Sequence, residues 1–307
     1  MHPAFAVVFV TACSGAGYGL WLWLGLWVAS GQPLRPFAGL AALALGFVLV
    51  TAGLLSSTLH LGKPLRSWRA FSQWRSSWLS REGIAALATY LPMLWLAACW
   101  WFGLPGARVA AALLALGALA TVVCTAMIYA SLKPIPAWQH PLVLPTYLVF
   151  SLHTGLLAGA ATLALAGNEV GNMPGLLALA GAFVLWRMKR ITWAWIDSGR
   201  LPVSRASALG LPEDRKVAVF ERPHTEGNYL TREMGFVLAR KHARVLRVAA
   251  VSLFALLPAV LALPVWLLPH LDTGPWLLAA AVSALAGAFV ERWLFFAQAR
   301  HLVTLYY

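Results

Sequence analysis

Charge is what this sequence has least of. Of its 307 residues only 11% are Asp, Glu, Lys or Arg, and only 10 are acidic. A soluble domain carries roughly 25% charged residues, so a chain that faces water throughout is excluded. Cysteine is scarce as well: Cys13, Cys99 and Cys124 stand singly in apolar segments, with no CxxC pair. They read as buried small hydrophobes. This chain therefore cannot ligate an iron–sulfur cluster by itself, and any electrons it handles must be delivered or collected by a partner. Internal repeats and low-complexity tracts are absent. No Lys or Arg precedes the first apolar run, which is long enough to span and does not read as a signal peptide. Val10-Thr11-Ala12-Cys13 mimics a lipoprotein cleavage box. With no basic segment and only about seven apolar residues ahead of it, cleavage is not expected.

Apolar residues are what is there. They make up 61% of the chain, and mean hydropathy is +0.74. A helix needs about 20 apolar residues to cross a bilayer, and eight runs qualify, near 6–29, 38–60, 83–103, 108–131, 144–166, 174–194, 245–268 and 275–297. The expected fold is all-α: a polytopic membrane protein with eight transmembrane helices, forming one integral membrane domain over 1–307. The 16 Trp residues cluster partly at the ends of these runs, as an interfacial aromatic belt does. Gly15-xxx-Gly19 and Gly155-xxx-Gly159 read as close helix-packing positions.

Eight spans put both termini on one side, together with the 61–82, 132–143 and 187–244 loops. Of the 23 Lys and Arg residues, all but Arg35 and Arg108 belong to that side. The positive-inside rule then places both termini in the cytoplasm, with the chain in a bacterial inner membrane. The net charge of +13 follows from this topology and from contact with anionic headgroups of membrane lipids, and requires no nucleic acid. The 187–244 loop is the only sizeable segment outside the spans. Under 60 residues it is small for an independent core, and its mixed apolar, acidic and basic surface suits docking of a cytoplasmic partner. A solvated loop lying on headgroups is the plainer alternative.

The stretch Leu59-His60-Leu61-Gly62-Lys63-Pro64-Leu65-Arg66, running on through Trp68 and Arg69 to Ser80-Arg81-Glu82, carries the polar chemistry. It holds a histidine, several cations and a carboxylate at a membrane surface, where polar groups need a reason. His60 closes the second run, and a histidine there suits the helix dipole; it also suits a quinone oxygen, because imidazole exchanges a proton near neutral pH. Glu82 opens the third run behind Ser80, where a cap and an acid are ordinary; it also suits a second proton-handling group facing His60. His60 and Glu82 are thus the candidate catalytic pair. Arg66 and Lys63 join them as quinone-binding residues that would balance negative charge on a reduced quinone, although for Lys63 an ordinary positive-inside role fits better. His153 lies inside the fifth run and His140 at a membrane edge. Each serves equally as a helix–helix hydrogen-bonding residue. A bis-histidine haem from His60 and His153 is the weaker reading.

The opening Met1-His2-Pro3-Ala4-Phe5, the His60–Arg66 stretch, Glu82, Asn228-Tyr229-Leu230 with Glu233-Met234-Gly235-Phe236, and the tail from Glu291-Arg292-Trp293-Leu294-Phe295-Phe296 to His301 together resemble the membrane-anchor subunit of the dimethyl sulfoxide reductase family. The resemblance runs along essentially the whole chain. It implies a three-subunit complex. The catalytic subunit would carry molybdenum with two pterin dinucleotides, and a second subunit would carry four [4Fe–4S] clusters. The anchor would exchange electrons with ubiquinone or menaquinone and bind no haem. The family's quinol-site histidine, arginine and glutamate fall on His60, Arg66 and Glu82. Its further tyrosine in the third span has no secure match, since that neighbourhood reads Ala98-Cys99-Trp100-Trp101.

Because the face bearing the His-Leu-Gly stretch is strongly basic, the arrangement looks like that of the membrane subunit in cytoplasmic sulfite dehydrogenase complexes. Electrons would then run from sulfite to quinone. A quinol-oxidising anchor of a dimethyl sulfoxide reductase-type complex is the alternative within the family. A secondary transporter and a passive anchor without a quinone site are alternatives outside it.

Overall fold

The structure, a computed structural model, describes residues 4–58, 63–199, 201–212, 214–221, 242–268 and 270–305. His60 and the 222–241 stretch of the long loop, including Asn228 and Glu233, lie outside the described residues. Eight long helices account for most of the rest: α1 Phe5–Ala29, α2 Pro36–Thr58, α3 Trp78–Phe102, α4 Ala107–Ala130, α5 Val143–Leu165, α6 Met173–Asp197, α7 Ala243–Leu267 and α8 Thr273–Ala297. No strand occurs among the described residues. A 25-residue helix is about 37 Å long, enough for a bilayer core. Seven of the eight are long and apolar enough to cross a membrane. The exception is α6, equally long, whose second half carries Arg187, Lys189 and Arg190. Eight spans were expected, and the charges on α6 account for the difference in count.

Helix boundaries match the apolar runs to within a few residues, with two informative shifts. α3 begins at Trp78 rather than at 83, capped by Ser77, whose hydroxyl accepts from the Ser80 amide at 3.4 Å. α6 runs on to Asp197. Arg187, Lys189 and Arg190 therefore stand on a helix and not in a loop beginning at 187. Burial of Lys189 against a carboxylate of α8 makes that extension tolerable.

α1 is the central helix, packed against α2, α4, α5 and α8. Its apolar residues surround it rather than forming one stripe, as expected of a helix buried on all sides. Gly19 and Gly155 let α1 and α5 meet backbone to backbone: a Cβ on Gly19 would run into the Ser151 carbonyl, and one on Gly155 into Gly19 itself. The other halves of the two glycine motifs do different work. Gly15 has open space beside it, and Gly159 meets only the tip of Leu20.

The two ends of the bundle are distinct. At one, Val8 of α1, Ile135 and Trp138 of the α4–α5 loop, and Phe296 and Ala299 at and beyond the end of α8 form a common cluster. Leu302 donates its amide to the Pro134 carbonyl at 2.9 Å. At the other, Arg35 donates its amide to Asn168 Oδ1 at 3.1 Å, tying two short loops together. The start of α1 and the segment after α8 thus belong to the first, the terminal face.

Candidate functional site

Between α2 and α3 lies an amphipathic 3-10 helix, Pro64–Gln73, at the terminal face. Arg66, Trp68 and Arg69 are exposed on it, with Trp68 64% exposed, a composition that suits lying in the headgroup layer. Its underside is tied down. Ser80 donates its hydroxyl to the Ala70 carbonyl. Arg81 straps the far end, donating Nε to the Trp74 carbonyl at 2.9 Å and Nη2 to the Arg75 carbonyl at 2.6 Å. Phe71 packs on Gly83, where no side chain larger than hydrogen fits without displacement. Ser80 is therefore a strut, and the cap expected of it belongs to Ser77.

The earlier helix start places Glu82 at the fifth helical position, outside the first turn. The positive end of the α3 dipole acts mainly over that first turn, so an acid there lacks the ordinary capping reason. Its carboxylate turns inward instead, accepting from Thr125 Oγ1 of α4 at 2.6 Å. No ion pair joins Glu82 to Lys63 or Arg66 among the described residues. Both cations are exposed on the surface segment above. The juxtaposition of Glu82 with His60 involves a residue outside the described set. Two turns deeper on the same face of α3, Tyr90 bonds Thr51 of α2 at 2.8 Å and stands edge-on to Trp21 at 5.7 Å.

Beyond Thr125 the polar groups continue into the bundle. A cavity of about 20 Å³ lies between α1, α4, α5 and α8, lined by Tyr18, Thr125, Tyr147, Ser151 and Arg292 among others. Arg292 is 2% exposed and Glu291 is wholly buried. Glu291 is gripped from two sides, by Lys189 of α6 at 2.5 Å and by Arg292 Nε at 3.0 Å. The Arg292 guanidinium lies over the Tyr147 ring at 3.9 Å, with Phe150 at 5.0 Å and Phe295 at 5.6 Å. It is close to the Tyr147 hydroxyl but without hydrogen-bond geometry.

These three charged residues were not among the candidates that sequence reasoning singled out for chemistry. The signal was available: Glu291-Arg292 interrupts a helix that carries no charge from Thr273 to Val290, and ionisable residues inside a span mark functional sites by default.

The two other histidines weighed as candidates, His153 and His140, find structural explanations. α7 contains a π-turn at Ser252–Leu256. The Phe254 carbonyl there meets His153 Nε2 at 3.1 Å, and the Leu253 carbonyl accepts from Ser283 at 2.7 Å. His140 accepts from the Leu142 amide through Nδ1 at 3.2 Å and stands edge-on to Trp195. Its proton therefore sits on Nε2. Burial, then the nearby charge of Lys189, lowers its pKa below the ordinary histidine value.

An all-helical membrane protein, with a surface-bound amphipathic segment and a charged centre buried near the same face, is what these elements define. A family profile for the DMSO reductase anchor subunit (DmsC) matches residues 1–298, and the chain belongs to that family. It is a membrane anchor subunit of a DMSO reductase-type oxidoreductase complex. Across its whole length it is also 33% identical, over 338 aligned positions, to a sulfite dehydrogenase subunit of Allochromatium vinosum, covering 99% of that protein.

Proposed function

We propose that this chain is the quinone-reactive anchor of a molybdoenzyme complex, passing electrons from cytoplasmic sulfite oxidation through a four-cluster iron–sulfur subunit to the quinone pool. The observation that carries the reading is Glu82. Its carboxylate sits past the first turn of α3, held inside the bundle by Thr125, directly behind the basic surface segment. Sulfite oxidation releases two electrons, and reduction of a quinone to its quinol takes two electrons and two protons. A half-buried carboxylate beside the headgroup layer suits the proton part of that reaction. His60 would meet one quinone carbonyl, with Arg66 and, more weakly, Lys63 balancing negative charge from the surface. Molybdenum and the iron–sulfur clusters would belong to partner subunits docked on the terminal face. The name of the Allochromatium relative and the basic character of that face both favour sulfite as the electron source.

The test compares two routes in the assembled complex. General acid–base groups contribute typically about 10²–10⁴-fold in rate. His60→Ala and Glu82→Gln are therefore expected to lower quinone-coupled turnover by a large factor, while turnover with an artificial electron acceptor barely changes. Wild-type quinone kinetics in both assembled variants would refute the site.

A further inference from the structure

We infer that the cavity between α1, α4, α5 and α8 holds ordered water, and that this water exchanges protons with Glu82 through the Thr125 hydroxyl. The inference rests on Glu82 as the proton-handling group proposed above, and adds where its protons travel.

The cavity presents donors that no described residue satisfies. Tyr18 Oη, Tyr147 Oη and both terminal nitrogens of Arg292 are buried without a hydrogen-bond partner among the described residues, and all three residues line the cavity. Tyr18 Oη lies near Thr121, whose hydroxyl donates to the Gly117 carbonyl at 2.8 Å and leaves the tyrosine without proper geometry. A buried polar group left unpaired costs about 1–3 kcal/mol, and native structures satisfy nearly all such groups with protein or water.

The rest of the polar lining offers acceptors. The hydroxyls of Thr11, Ser14, Ser151 and Thr154 donate to backbone carbonyls of Val7, Val10, Gly15 and Phe150, so they show only lone pairs to the cavity. Water is the ligand that accepts from the first set and donates to the second. A volume of about 20 Å³ admits water and excludes a quinone ring.

Thr125 connects this space to the carboxylate. Thr125 lines the cavity, and its hydroxyl has two acceptors in reach, Glu82 Oε1 at 2.6 Å and the Thr121 carbonyl at 3.0 Å, of which the carboxylate is the closer. A proton passing from a cavity water to Thr125 Oγ1 is matched by the hydroxyl's own proton passing to Glu82. The hydroxyl is unchanged, the carboxylate becomes a carboxylic acid, and the cavity water, which enters the step carrying an extra proton, is left neutral. The reverse sequence returns a proton to the cavity.

The experiment uses the intact complex and measures quinone-coupled turnover in H₂O and D₂O. Thr125→Val removes the hydroxyl at nearly constant volume. It is expected to lower quinone turnover about tenfold or more and to raise the solvent isotope effect, with Thr125→Ser restoring both. Tyr147→Phe keeps the helix packing and deletes one donor, and should produce a smaller loss of the same kind. Wild-type turnover and isotope effect in Thr125→Val and Tyr147→Phe, with Glu82→Gln impaired, would overturn the water path and leave the quinone site standing. Wild-type turnover in Glu82→Gln as well would overturn both.

Discussion

Lys189 of α6 and Glu291 of α8 face each other at 2.5 Å, with side chains 4% and 0% exposed. Arg292 approaches the same carboxylate from the other side. The group therefore carries one more positive than negative charge. This arrangement ties α6, the most charged of the eight long helices, to the centre of the bundle.

The order of damage on breaking this group is predictable. Removing one partner of a buried ion pair costs about 3–5 kcal/mol, because the other charge is left uncompensated. Glu291→Gln strands two cations, whereas Lys189→Met strands none, since Glu291 keeps Arg292. Glu291→Gln should therefore lower thermal stability of the purified complex more than Lys189→Met. Equal effects would show that Arg292 does not rely on Glu291.

Packing of α1 on α5 should depend on single hydrogen atoms. Gly19→Val and Gly155→Val each force a side chain into a facing backbone; overpacking typically costs about 1–3 kcal/mol, and here the obstruction cannot rotate away. Neither variant should accumulate in membranes. Gly15→Ala, with nothing within 4 Å of its Cβ, should accumulate normally. Immunoblots of membrane fractions decide between these outcomes.

His140 gives the terminal face a dependence on pH. Its folded pKa is lowered, by burial first and by Lys189 second. The contribution to stability is therefore present above the unfolded value of about 6.5 and is lost as the pH falls below it, where the unfolded chain takes up the proton first. Protonation of Nδ1 also removes the bond from the Leu142 amide. His140→Asn, which can still accept that bond, should flatten the acid side of the stability profile. An unchanged profile would assign the acid sensitivity elsewhere.

Orientation can be read with reporter fusions. Among the described residues, every Lys and Arg except Arg35 and Arg108 lies nearer the terminal face, so a fusion at Tyr307 should report the cytoplasm and one within the 167–172 loop the opposite side. A C-terminus outside the cytoplasm would also remove the main reason for preferring sulfite oxidation over quinol oxidation.

Most of the fold was legible because the bilayer allows so little else. Apolar runs of a length set by the membrane can only be helices, since every backbone polar group must be paired within its own segment. Their ends follow where polar residues return. The family, too, was legible from motifs spread along the whole chain. The start of α3 was misplaced by several residues, because the apolar pattern does not register Ser77 as a cap or Ser80 and Arg81 as anchors for the segment before them. That shift changed the meaning of Glu82 from a capping acid to a carboxylate inside the bundle.

The sequence by itself determined the class, the number of long helices and the asymmetry of charge, all of which depend on composition within one segment at a time. Only the tertiary structure decided where the charges inside the bundle sit and what they touch. Lys189, Glu291, Arg292, Tyr147 and Thr125 come from four helices whose mutual rotation is fixed by close contacts such as Gly19 on Gly155. One-dimensional spacing does not encode that rotation. It arises when side chains from distant segments exclude one another from the same space.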